Sequence, residues 1–144
     1  MFGGVNAMGD DTTRDESGAT VESGGLGAFV IEVGDCWNLP TEDYVASVEA
    51  VPCANPYDVE TFAEVRVSGS DWPGEVAIVA DGEAGCLAEY EPYVGRNYYT
   101  SEFGVSFLSP TQESWDTGGD RIVNCYLGEM NGAKLIGSMR NTGR

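Results

Sequence analysis

Apolar and polar residues alternate at several places along this chain. Phe29-Val30-Ile31-Glu32-Val33 reads as a strand ending at Gly34-Asp35, and Tyr44 to Val51 as a second strand, stopped by Pro52. Val59 to Val67 alternates best. Val59, Ala63, Val65 and Val67 fall on one face, and Glu60, Glu64 and Arg66 on the other, which predicts one side toward solvent. Phe62 breaks the alternation and is expected to pack on a neighbouring element. The turn cluster Ser68 to Gly74 leads into the one sizeable helix. There Val76, Val79, Ala80, Leu87 and Tyr90 recur at helical spacing, with Cys86 beside the stripe. Gly82 and Gly85 each cost such a helix about 1 kcal/mol relative to alanine, a loss that packing and a disulfide at Cys86 would offset.

A β pattern returns over Tyr98 to Leu108. Ser109-Pro110-Thr111-Gln112 reads as a capping box with proline at the first helical position, opening a short helical turn through Trp115 that breaks at Gly118-Gly119. Asp120 to Leu127 predicts a strand containing Cys125. Asn131-Gly132 predicts a hairpin turn, after which Lys134-Leu135-Ile136 pairs back as the last strand. This order makes an α+β domain: an antiparallel sheet of about five to six strands with one main helix packed on a face.

Residues 1–27 lack any such period. They carry seven glycines among Asp, Thr, Ser and Glu, and read as a flexible acidic linker ahead of a folded domain over 28–144. Gly3-Gly4 and Gly24-Gly25 lack the lysine that a phosphate-binding loop needs. The whole chain, 144 residues, suits one domain with one core.

Charge narrows the partners. The 24 acidic residues outnumber 7 basic ones, for a net −17, and Lys134 is the single lysine. Such a surface repels nucleic acid and anionic lipid headgroups. No stretch nears the ~20 apolar residues of a membrane span, and Met1 to Gly27 has no signal-peptide pattern.

Four cysteines, Cys36, Cys53, Cys86 and Cys125, stand in a chain without histidine. Their even count and wide spacing favour a disulfide framework, whereas a four-thiolate zinc site, the competing reading, normally shows two close pairs. Of three possible pairings the expected one is Cys36–Cys53, tying two sequential strands, with Cys86–Cys125 pinning the helix to the sheet. Disulfides need an oxidising compartment. The expectation is therefore an upstream signal or anchor outside this sequence.

The segments around these cysteines form a series. Val33-Gly34-Asp35-Cys36-Trp37-Asn38 is followed by Val51-Pro52-Cys53-Ala54-Asn55-Pro56-Tyr57-Asp58-Val59-Glu60, Trp72-Pro73-Gly74 and Cys86. Then come Ser109-Pro110-Thr111-Gln112-Glu113-Ser114-Trp115, Gly119-Asp120-Arg121, Cys125 and Gly137-Ser138-Met139-Arg140. In order and spacing this series, from about Glu32 to Arg140, resembles the actinobacterial septum formation family, a group of exported or membrane-tethered domains. The resemblance implies a place outside the cytoplasmic membrane, with residues 1–27 as the tether to an anchor. One departure matters: the position after Pro56, histidine in the family pattern, is Tyr57, which rules out a metal or proton-transfer role for a histidine there.

Without histidine, histidine-dependent triads, cysteine–histidine dyads and histidine-ligated metals are excluded. Paired carboxylates remain. Asp35, Asp58, Glu60, Glu113 and Asp120 lie in the family-like segments, and a glycosidase needs two such groups about 5 to 10 Å apart, yet nothing isolates one pair. After the Gly-Gly turn, Asp120 is expected to bond nearby backbone amides and Arg121 to pair with a carboxylate such as Asp35 or Asp58. Trp37, Trp72 and Trp115 sit beside turns or helix starts; core-edge burial is the expected role, and an exposed aromatic surface the alternative. There is no EF-hand pattern, and no cofactor or metal is expected. The leading expectation is a non-catalytic extracytoplasmic module, membrane-anchored and contacting an envelope or divisome protein. A cell-wall glycan- or peptide-binding domain is the alternative, and a carboxylate-based wall hydrolase the weaker one.

Overall fold

Six strands join in one antiparallel sheet in the computed structural model, which describes residues 13–14, 20–22, 24–27, 30–40 and 47–144. The strands are β1 (Thr13–Arg14), β2 (Thr20–Glu22), β3 (Gly24–Gly27), β4 (Cys36–Asn38), β5 (Ser47–Val51), β6 (Val59–Arg66), β7 (Phe103–Leu108) and β8 (Ile122–Glu129). Helix α1 spans Glu75–Val94 and α2 Gln112–Gly118, with a 3-10 turn at Tyr98–Thr100. β1 and β2 pair with each other, while the main sheet runs β3-β5-β4-β6-β8-β7. β3, within the stretch assigned to the linker, pairs with β5 from Gly24↔Ala50 to Gly27↔Ser47. Most of the rest of residues 1–27 lies outside the described residues.

The fold is the expected α+β type, and both expected disulfides are present, Cys36–Cys53 and Cys86–Cys125, with Cα separations of 5.3 and 5.6 Å. The first ties β4 to the turn after β5. The second fastens α1 to β8.

A bulge in β6 changes which residues face the helix. Thr61 pairs with Tyr126 and Ala63 with Cys125, so Phe62 is an extra residue that switches the alternation. Before it, Val59 packs with Ile31, Trp37, Val48 and Ala50 in one cluster; beyond it, Ala63 and Val67 lie in the core under α1. Val59 and Ala63 therefore lie on opposite faces, contrary to the expected single stripe. Glu60, expected at solvent, is fully buried. Phe62 itself packs edge-on against Tyr90.

The helix stripe is also corrected. Val76 is 85% exposed and Val79 is exposed as well, whereas Ile78, Gly82, Cys86, Tyr90, Tyr93 and Val94 are buried. The buried set steps by four, and glycines belong in it because helix and sheet nearly touch. A Cβ on Gly85 would lie 2.7 Å from Val65 Cγ1, and one on Gly82 3.1 Å from Val123 Cγ1.

Other expectations shift locally. Val30 to Val33 is not a strand; it leads into a turn in which Asp35 N–H bonds the Glu32 carbonyl and Gly34 takes φ +96°. Phe29 and Tyr44 to Ala46 lie outside the described residues, and the expected second strand is seen as Ser47–Val51. Tyr98–Thr100 is helical, so that β segment starts at Phe103. The capping box is Thr111 with Ser114, and Pro110 precedes the cap. Asp120 and Arg121 precede β8, which runs on to Glu129. Leu135 does not form a last hairpin strand. It makes an isolated bridge to Tyr57, because the chain after Asn131-Gly132 crosses to the Cys53–Tyr57 side.

From there the C-terminal segment straps the domain. Gly137 N–H bonds the Cys53 carbonyl, and the Asn141 and Gly143 amides bond the carbonyls of Tyr93 and Val94 at the end of α1. Those carbonyls have no partner within a helix, so the strap caps it.

Candidate functional site

A buried carboxylate lies beneath the strap, and an open groove lies at the outer edge of the sheet. The bulge aims Glu60 under α1, where Oε1 accepts from Tyr57 Oη (3.0 Å) and Met139 N (2.8 Å). Oε2 accepts from Tyr93 Oη and Ser138 Oγ, both at 2.6 Å. A carboxylate offers about four acceptor positions, and internal donors fill them. Tyr57 divides its hydroxyl proton between Glu60 and the Gly137 carbonyl, 2.7 Å away. Burial first, and the Glu60 charge second, push the Tyr57 and Tyr93 hydroxyls well above the usual tyrosine pKa. Such a carboxylate has no lone pair left for substrate or metal. It locks strap to sheet.

The other expected site residues are also engaged in structure. Asp35, buried, accepts from Glu32 N–H at 2.8 Å. Trp37 is buried and donates from Nε1 to Thr61 Oγ1, which donates on to Asn124 Oδ1. Asp58 holds Lys134 Nζ at 2.8 Å and accepts from Leu39 N–H. Asp120 accepts from Ile122 N–H and Ser114 Oγ, a backbone amide and a hydroxyl. Arg121 pairs with neither Asp35 nor Asp58. It lies 3.7 Å from the Trp115 ring centre and donates to the carbonyls of Gly69, presented by the 68–74 turn, and of Trp115 and Asp120, close to it in sequence. Trp115 is buried with Nε1 on the Ser70 carbonyl, and the half-buried Trp72 meets it edge-on. Glu113 is exposed on the first turn of α2.

Elsewhere, the pKa of the outward-facing Glu64 is raised by partial desolvation first, then by the charges of Glu32 and Asp35. Among the described residues no group of three or more His, Cys, Asp or Glu could hold a metal ion. No described helix is long and apolar enough to cross a membrane.

The groove has a different character. Glu83 and Leu87 of α1, Tyr98 and Tyr99 of the 3-10 turn, and Val105 and Phe107 of β7 line an open cavity of about 260 Å³. Tyr99 is 80% exposed. β7 is the outer strand on this side, and among the described residues no strand pairs with its free edge. The alternation of Phe103, Val105 and Phe107 is plain in the sequence, but nothing there marks the strand as outermost. Glu60, Tyr57 and Tyr93 escaped sequence reasoning as a cluster because the bulge that assembles them leaves little trace in composition.

Sheet, helix, two disulfides and a saturated buried carboxylate define a stapled α+β domain whose interior polar groups tie the chain to itself. The chain matches the family model described as septum formation over residues 28–143, and it belongs to that family. It is also similar to two curated relatives, each named "Putative lipoprotein LppN", from Mycobacterium tuberculosis and Mycobacterium bovis. Each is 31% identical over 115 residues, covering 76% of this chain and 62% of the relative. The chain thus spans less than two thirds of those proteins. No solved structure matches it.

Proposed function

We propose that this domain is a non-catalytic module of the cell envelope, held outside the cytoplasmic membrane by an anchor and contributing to septum formation through contacts with other proteins. One observation carries the reading: the deepest carboxylate, Glu60, spends its acceptor capacity on Tyr57, Tyr93, Ser138 and the Met139 amide. That saturation argues against acid–base work at this fully buried carboxylate. Two disulfides suit an oxidising compartment, and the lipoprotein name of the mycobacterial relatives supports a tether. Burial of Trp37 and Trp115 weakens the glycan-platform reading.

The test incubates the immobilised domain with envelope extracts of its native host, beside an unrelated domain of equal net charge. Specific protein retention by the domain alone is expected, with no release of soluble fragments from purified cell wall. Retention equal to the control, or release of wall fragments, refutes the reading.

A further inference from the structure

The groove beside β7 carries a more specific inference, which rests on the protein-contact reading above. Natural sheets protect an outer strand with charge, proline or a covering element, because its unpaired N–H and C=O groups invite another strand. Phe103-Gly104-Val105-Ser106-Phe107-Leu108 contains neither charge nor proline. Along its free edge, alternate residues turn their amide and carbonyl groups away from β8. Beside that edge lies the cavity, with Val105 and Phe107 as apolar floor and Leu87 as wall. Its volume suits one or two aliphatic side chains.

Charge selects the occupant. Helix α1, which walls the groove, bears Glu75, Asp81, Glu83, Glu89 and Glu91 and no basic residue. The arginines flanking this end are already engaged: Arg96 donates to the carbonyls of Thr100 and Gly143, and Arg144 pairs with Glu102. A second copy of a chain with net charge −17 would be repelled. An extended segment whose cavity-side residues, at every second position, are in turn aliphatic and basic meets every requirement. Its backbone pairs with β7, its aliphatic side chains enter the cavity, and its basic groups, on that same face, reach Glu83 on the groove wall.

We propose that the free edge of β7 and the groove under α1 form a docking site for an extended, basic peptide segment of a partner protein, bound by strand addition.

The seven-residue peptide Val-Ser-Lys-Ser-Val-Ser-Lys, with valine and lysine on one face of the strand, serves as probe, with binding followed by anisotropy and by amide NMR shifts. Expected shifts centre on residues 83, 87, 98–99 and 103–108. Exchange of lysine for glutamate in the peptide abolishes binding, and Glu83→Lys, on the exposed helix face, weakens it at least fivefold. Strand addition uses one edge of the peptide. Methylating the amides of the second lysine, the second valine and the first lysine, or instead those of the three serines, therefore lowers affinity at least tenfold in one case and leaves it nearly unchanged in the other. Equal affinity for the two methylated peptides, shifts confined elsewhere on the surface, or no binding overturns the proposal. So does stronger perturbation of the groove by a peptidoglycan fragment. Envelope capture that Glu83→Lys leaves unchanged overturns the groove while protein contact stands. Peptide binding at β7 without any envelope capture keeps the groove and removes the protein-contact reading.

Discussion

Replacing Gly85 by alanine should destabilise this protein, although the same change in an ordinary helix interior stabilises. Alanine gains about 1 kcal/mol over glycine from helix propensity alone. Here the new methyl would lie 2.7 Å from Val65 Cγ1 and 2.8 Å from Cγ2. Both methyls of a β-branched side chain press on it, so one rotation does not free the space. Nor can the helix lift easily, since the next residue, Cys86, is bonded to Cys125 in β8. Overpacking of this kind costs about 1 to 3 kcal/mol. With two contacts below 3.0 Å the upper part of that range applies, leaving a net loss of about 1 to 2 kcal/mol. For a chain of this size that lowers Tm by about 3 to 6 °C. Urea denaturation of Gly85→Ala, Val65→Ala and the double variant, with disulfides intact, measures it. The double variant should recover about 1 kcal/mol or more relative to additivity. A Tm at or above wild type for Gly85→Ala, or strict additivity, refutes the close-approach argument.

Glu60→Ala leaves the Tyr57, Tyr93, Ser138 and Met139 donors without their acceptor and should cost about 3 to 5 kcal/mol. Denaturation shows it, together with faster hydrogen exchange at the Met139 amide; a loss below about 1 kcal/mol contradicts the lock. Cys86→Ser should lower stability by about 4 kcal/mol under oxidising conditions and hardly at all in reductant, where equal losses would count against loop closure as the cause. Tyr57 and Tyr93 have folded pKa values raised above their unfolded value near 10, so their contribution is fully present below pH 10 and is lost as pH rises beyond it. Absorbance at 295 nm should show these tyrosines ionising only together with alkaline unfolding; their titration in the native protein near pH 10 would contradict the burial argument.

Sequence alone reached the α+β class and both disulfide partners because cysteine spacing and strand alternation are local signals. It missed where alternation changes phase. Without the extra residue at Phe62, Glu60 and Glu64 read as one solvent-facing row; with it, Glu60 turns to the core and Glu64 outward. The helix was misread for a related reason. Val76 and Val79 are more hydrophobic than Gly82 and Gly85, yet a surface that approaches β6 and β8 so closely leaves no room for a methyl at Gly85 and crowds one at Gly82. Arg121 looked like an ion-pair partner because carbonyls presented by a distant turn have no signature in the chain. The groove was half legible: its floor alternates visibly, but the edge position of β7 is set by pairings across the whole sheet.

The lock and the groove are mechanically joined. Asn55-Pro56-Tyr57-Asp58-Val59-Glu60 and Gly137-Ser138-Met139-Arg140, far apart in the family-like series, meet at the Glu60 carboxylate. From that point the strap caps α1, and its last residue reaches the root of β7. There Glu102 N–H bonds the Arg144 carbonyl, and Arg144 Nη2 lies 2.8 Å from Glu102 Oε1. Loss of the lock would therefore free both the end of the acidic helix and the start of the exposed strand, two elements whose middle residues line the groove. Residues that bind nothing themselves would then hold the docking edge in place. The departure at Tyr57 fits this account. The position must present a donor to Glu60 Oε1 and the Gly137 carbonyl, which an imidazole N–H or a phenol O–H can supply. Tyrosine keeps the donor while removing a group that titrates near neutral pH, and its raised pKa leaves that donor protonated across the physiological range.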